Sequence, residues 1–240
     1  MMGRITTAIE SRRYRLLNER KRDIACTGGI VSFTFDDFPE SAAVGAELLE
    51  ARGWRGTFYL STGNVGMDSD FGPIASFDSA TKLYQAGHEI GDHTHSHIRC
   101  RGAKKSVLRR ELDSSAAMLC QAYGSRNFAL PYGDYDAAAL NVLSGRFDTI
   151  RTTSRGVNVQ RKDLNTLKAN PIYGSTTRES IEALLDEVRD QNGWLIFYTH
   201  DVRAQHSKYG CTPEQFDAVL ALVAARGLSV RTVAGVFASL

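Results

Sequence analysis

No stretch of this 240-residue chain is apolar enough for a membrane span or for the hydrophobic part of a secretory leader, so the expected location is the cytoplasm. Proline is scarce, at 5 residues, and low-complexity tracts and internal repeats are absent, which excludes a linker-like or solenoid protein. Cys26, Cys100, Cys120 and Cys211 show no Cys-x-x-Cys spacing. Neither a zinc ribbon nor a disulfide scaffold is therefore expected, and the thiols read as reduced. Cys100 follows His97 closely but reads as a buried thiol rather than a ligand. The formal net charge is only +2, with no long basic tract in the body, which argues against nucleic acid as a partner.

What is present is ordinary for a globular protein: 42% hydrophobic and 23% charged residues, in a chain long enough for one large α/β domain. The first 24 residues stand apart. Arg4, Arg12, Arg13, Arg15, Arg20, Lys21 and Arg22 face only Glu10, Glu19 and Asp23, so this part carries +4 and the remainder about −2. Residues 1–25 are read as a basic helical arm and 26–240 as the catalytic domain. The favoured reading packs Ile5, Ile9 and Leu16 of the arm onto the body, as a polar-faced surface helix does. The other reading lays the arm on an anionic membrane or lipid carrier.

Beyond the arm, short β-branched or aromatic runs alternate with amphipathic helical stretches. Strands are expected at 30–35, 56–60, 88–91, 127–130, 148–152, near Leu167, at 194–199 and at 228–231. Helices are expected at 41–52, 77–86, 103–123, 136–143 and 179–191, from Pro213, and at the C-terminus. Seven to eight mainly parallel strands predict an α/β fold, a distorted or incomplete (β/α) barrel, with a doubly wound open sheet as the alternative. The barrel is preferred because polar residues follow the strands: Asp36 and Asp37, His93 and His97, Pro131-Tyr132-Gly133, Arg151, and His200 would share one rim.

Asp36-Asp37 before Pro39 and Ser41 would serve as a helix cap, but adjacent carboxylates can also divide labour, one binding a cation and the other accepting a proton from water. His93 and His97, four residues apart, would lie on one side of a helical turn, in a segment too polar for core histidines. His95 would then point away, to the surface or behind the ligands. Two imidazoles and a carboxylate suit zinc, and equally the facial triad of a non-haem iron oxygenase.

Thr34-Phe35-Asp36-Asp37, the run Gly87 to His97, Phe128-Ala129-Leu130-Pro131-Tyr132-Gly133 and the strand ending in His200 together resemble the polysaccharide deacetylase (NodB-homology, carbohydrate esterase) family. The resemblance runs from about Ile30 to the C-terminus in family order. It implies a distorted (β/α) barrel, a divalent metal, most often Zn2+, and hydrolysis of N-acetyl groups on sugars. It also implies Asp37, His93 and His97 as metal ligands, Asp36 as general base, His200 as general acid and the main-chain N–H of Tyr132 as an oxyanion donor.

Three departures stand out. Phe38-Pro39 replaces a common Gly, which predicts a narrower or more apolar mouth. Ala129 stands where many members have Arg, and Arg151 is expected to supply the guanidinium instead. The fourth family motif is not recognisable in 152–158. The expected substrate is an N-acetylated carbohydrate, as a nucleotide- or carrier-linked precursor handled in the cytosol. Alternatives are hydrolysis of a non-sugar C–N bond, the oxygenase, and an idle carbohydrate-binding protein. The sequence says nothing of oligomeric state.

Overall fold

The computed structural model describes residues 2–240, with side chains described at Thr7 and from Ile9 onward. In chain order the elements are α1 (Met2–Arg13), which continues in a wider turn over Tyr14–Asn18, then β1 (Lys21–Ile24), β2 (Ile30–Phe35), α2 (Ala42–Glu50), β3 (Thr57–Leu60), β4 (Asp68–Ser69) and β5 (Gly72–Pro73). There follow α3 (Phe77–Gln85), β6 (Glu89–Asp92), α4 (Lys105–Tyr123), β7 (Asn127–Ala129), α5 (Ala137–Leu143), β8 (Thr149–Arg151), β9 (Gln160–Asp163) and β10 (Asn170–Pro171). The last are α6 (Arg178–Asp190), β11 (Trp194–Thr199), α7 (Pro213–Ala225), β12 (Ser229–Val230) and α8 (Val233–Phe237).

Seven strands form one parallel sheet in the order β10-β11-β2-β3-β6-β7-β8, and β12 adds a parallel contact to β2. The sheet curls, and the segment leading into β10 spans the gap between its edges: Leu167 bridges Arg151, while Asn170 pairs with Phe197. The fold is thus a distorted (β/α) barrel and not a doubly wound open sheet. Strand alternation explains how it fills. Val31, Phe33 and Phe35 of β2 join Leu195 and Phe197 of β11 in the core under the helices. Between them Ser32 accepts from Trp194 Nε1 at 2.9 Å, and Thr34 donates to the Phe197 carbonyl at 2.8 Å. Asp36 and His200 continue this inward series at the ends of their strands.

Helices form where an apolar stripe and end signals coincide. Leu108, Leu112, Ser115 and Leu119 make the buried face of α4. Gly124 ends that helix in the left-handed region at φ 62°, as glycine does at a C-terminus. Thr212 and Gln215 form a reciprocal cap at the start of α7, with Pro213 at its first position.

Two antiparallel pairs were not expected: β1 with β9, and the small hairpin β4–β5. The packing expected of the first helix is also corrected. Ile9 and Leu16 are 62% and 70% exposed, while Ile5 lies outside the residues whose side chains are described. The arm is fastened by other groups: Tyr14 is buried in the cluster of Leu108, Leu112 and Leu140 and donates to Asp163, Glu10 accepts from Lys105 Nζ at 2.6 Å, and Asn18 donates to Asn141. Among the described residues no helix is long and apolar enough to cross a membrane.

Candidate active site

The ends of β2, β6, β7, β8 and β11 converge on a cavity of about 490 Å³ whose lining includes Asp36, Asp37, His93, His97, Tyr132 and His200. Asp37 and Phe38 turn the chain away from β2 with φ of 59° and 48°. Such angles are tolerated by Asp but strained for Phe, and strain of this kind gathers at functional sites. Phe38 does not narrow the mouth as expected: it is buried against Phe58, ring centroids 5.0 Å apart.

His93 to His97 is not a helical turn. Thr94 and His97 have φ of 67° and 52°. Asp92 holds the loop in this shape, since one of its oxygens accepts from Thr94 N at 2.8 Å and the other from Ser115 Oγ at 2.6 Å. Burial pushes the Asp92 carboxyl up to about 6. His95 does turn from the ligands, and its Nδ1 meets Thr62 Oγ1 at 2.8 Å. Cys100 is buried beside Leu108 and is no ligand, and all four cysteines are unpaired.

Asp37, His93 and His97 each present one ligand atom, all within 4.8 Å of one another. Asp37 Oδ1 lies 3.1 Å from His97 Nε2 and 3.7 Å from His93 Nε2. Tetrahedral zinc with bonds near 2.1 Å separates its ligand atoms by about 3.4 Å, so the spacing fits such an ion. His93 Nδ1 donates to the Ala129 carbonyl at 2.8 Å, which fixes the tautomer and leaves the Nε2 lone pair facing Asp37. Burial, then neighbouring His97, pushes His93 down to about 3, so it is neutral and ready to ligate. Burial also lowers His97 and pushes Asp37 up to about 6. Asp37 Oδ1 is buried with no hydrogen-bond partner among the described residues, an orphan that a cation would satisfy.

Asp36 takes a different partner. Arg151 Nη2 donates to Asp36 Oδ1 at 2.5 Å, and the fully buried guanidinium sits over the rings of Tyr198 and Tyr59, 5.0 and 5.4 Å away. Burial opposes the Asp36 charge, but Arg151, helped by His93 and His200, outweighs it and holds this carboxyl below its ordinary range. The two adjacent aspartates are thereby driven apart in acidity.

His200 Nε2 lies 3.8 Å from Asp37 Oδ2, and its Nδ1 donates to the Tyr209 carbonyl at 3.2 Å. The loop carrying Tyr209 is tied to buried Asp201, which accepts from Ser207 N and Ser207 Oγ, each at 2.7 Å, and from Arg203 Nε at 2.9 Å. Tyr132 sits at φ 60° with its ring 4.7 Å from that of His97 and under the Arg99 guanidinium at 4.5 Å. Gly133 must be glycine there, since a Cβ would fall 1.9 Å from Thr153 Oγ1.

A family model described as polysaccharide deacetylase matches residues 25–145. The chain belongs to the polysaccharide deacetylase family. Over 184 residues it is 32% identical to a chitin deacetylase of Arthroderma benhamiae, covering 74% of this chain and 45% of that protein. It therefore spans less than half of this curated relative. The structure resembles that of a family 4 acetyl xylan esterase from Clostridium thermocellum solved with a cobalt ion: TM-score 0.59, 24% identity, 88% of this chain and 91% of that one. It also resembles the chitin deacetylase of Colletotrichum lindemuthianum: TM-score 0.61, 16% identity, 90% of each chain. These two likenesses are likenesses of fold.

In this deacetylase-family chain the pocket has walls that sequence reading missed. Phe71, on the tip of the β4–β5 hairpin, packs 4.8 Å from His200, and Arg99, Thr153, Tyr173, Tyr198 and Tyr209 also line the pocket. Aromatic residues in polar loops were the available signal for Phe71, Tyr173 and Tyr209.

Proposed function

We propose that this protein is a metal-dependent hydrolase that removes the N-acetyl group from an amino sugar, taken as a nucleotide- or carrier-linked glycan precursor in the cytoplasm. The observation that carries the reading is the partition of the aspartates: Asp37 faces two imidazoles with an unsatisfied oxygen, while Asp36 is held by Arg151. A divalent cation between Asp37, His93 and His97, zinc by donor chemistry, would supply Lewis acidity and a more acidic water.

The remaining work falls to this chain. Asp36 accepts the proton of the attacking water, with its carboxylate held by one N–H of Arg151, whose other terminal nitrogen donates to the Thr152 carbonyl. The Tyr132 main-chain N–H serves as the donor for the oxygen that becomes negative as water adds to the amide carbon. His200, with Nδ1–H committed to the Tyr209 carbonyl, offers Nε2–H to the departing nitrogen, so the C–N bond breaks to acetate and a free amine.

The aromatic lining supports a sugar substrate. A second cavity of about 590 Å³ shares Tyr173 with the first, which supports a substrate larger than one sugar ring. Four unpaired cysteines support a reducing compartment. The test is acetate release from N-acetylated nucleotide sugars, lipid-linked sugars, chitooligosaccharides and O-acetylated xylooligosaccharides, with zinc or a chelator. Chelator-sensitive release from an N-acetylated carbohydrate is expected. Release confined to O-acetyl esters, or none that responds to metal, would overturn the reading.

A further inference from the structure

We propose that the outward face of α1 docks this protein on an anionic lipid bilayer. Ile9, Arg12 and Arg13 recur at i, i+3 and i+4 on one side of α1, and Arg15, Leu16 and Leu17 of the wider turn that continues it are exposed as well. The opposite side is occupied: Glu10 bonds Lys105 and Asn141, and Tyr14 bonds Asp163. The helix is thus held to the barrel by one side while presenting the other.

The composition of that face identifies its partner. Leu17, Leu16 and Ile9, at 72%, 70% and 62%, are the three most exposed large apolar side chains among the described residues. Interspersed with them, Arg12, Arg13 and Arg15 are exposed and make no ion pair among the described residues. Aliphatic side chains set among unpaired arginines match a lipid interface, where the former enter the acyl boundary and the latter stay with the phosphates. A polyanion such as nucleic acid would use the arginines and leave the leucines in water.

Neighbouring charge reinforces the match. The Glu10–Lys105 pair seats α1 beside the start of α4, where Lys104, Arg109 and Arg110 are exposed. Where the arm passes into β1, a cavity of about 370 Å³ is lined by Arg20, Lys21, Arg22 and Arg161 together with Glu19. The excess of +4 in the first 24 residues over a body of about −2 turns this flank toward negative surfaces. None of this depends on the hydrolase reading, since no residue named here lines the metal pocket.

The experiment is cosedimentation of the full chain with phosphatidylcholine vesicles, with and without phosphatidylglycerol, at low and high salt. Binding is expected only where phosphatidylglycerol is present. Arg12→Glu with Arg13→Glu should weaken it roughly tenfold or more. Leu16→Ser with Leu17→Ser should remove the part that persists in salt. Both variants should keep wild-type metal content and acetate release, so loss of docking and failure of the hydrolase reading remain distinguishable. Absence of binding, equal binding to neutral vesicles, or retention on immobilised DNA that matches vesicle binding and ignores the leucine substitutions would overturn the proposal.

Discussion

Arg151 stands in register with Ala129 across β7 and β8, and its guanidinium donates to Asp36 Oδ1 at 2.5 Å. We propose that this guanidinium takes the place of the one that the family resemblance leads us to expect at Ala129. Replacing Arg151 by Met should leave a buried carboxylate unpaired and cost about 3–5 kcal/mol of stability. Turnover should fall, metal content should hold, and the acidic limb of the pH–rate profile should move up, because the cation that lowers Asp36 is gone. Arg151→Lys should restore stability in part but not the simultaneous hold on Asp36 and the Thr152 carbonyl that the guanidinium provides. Wild-type turnover in both variants would refute the role.

The two aspartates should fail differently. Asp37→Ala should lose bound metal and activity together, whereas Asp36→Asn should retain metal by elemental analysis and lose roughly 10²–10⁴ in turnover. Equal metal loss in the two would refute the division.

His200→Ala should keep metal and lose turnover. Asp201→Asn should produce a weaker copy of that defect. Its buried carboxylate accepts three hydrogen bonds that set the loop from which the Tyr209 carbonyl meets His200. We expect lower kcat with little change in KM, and a change in the His200 ring-nitrogen chemical shifts that a merely looser fold would not produce.

Stability should depend on pH through Asp92. Its carboxyl stands at about 6 in the folded chain, against about 3.9 for an unperturbed aspartate. The native state therefore holds the proton more tightly, and this residue's contribution declines as pH rises from about 4 to about 6, by roughly 2–3 kcal/mol, then levels off. In metal-free protein, Asp92→Asn should flatten that part of the stability profile, because Ser115 can reverse its hydroxyl to accept from the new amide. An unchanged slope in denaturant titrations would count against the buried ionisation.

Much was legible in the chain because it is local. The largely apolar runs Ile30 to Phe35 and Trp194 to Thr199, the stripe Leu108, Leu112, Leu119 and the stop at Gly124 need only near neighbours to be read. The candidate metal group Asp37, His93 and His97 was legible because its donor types are chemically distinctive and fall in motifs that resemble the family's. The polar pair β1–β9 was not, since Lys21 and Asp163 lie far apart in sequence and neither strand alternates visibly.

What the sequence alone determined, then, is the run of strands and helices and the identity of the polar residues at the strand ends, because periodicity and side-chain chemistry are properties of the chain itself. Tertiary structure alone decided the rest. In the His93 to His97 loop the left-handed turn at Thr94 is held by Asp92, whose carboxylate is held in turn by Ser115 on another element. The outward face of α1 follows from Glu10 and Tyr14 finding partners at Lys105 and Asp163, which leaves Ile9 and Leu16 in solvent. Which side of a helix is buried, and which φ a loop residue must adopt, depend on groups distant in the chain, and no local pattern carries that information.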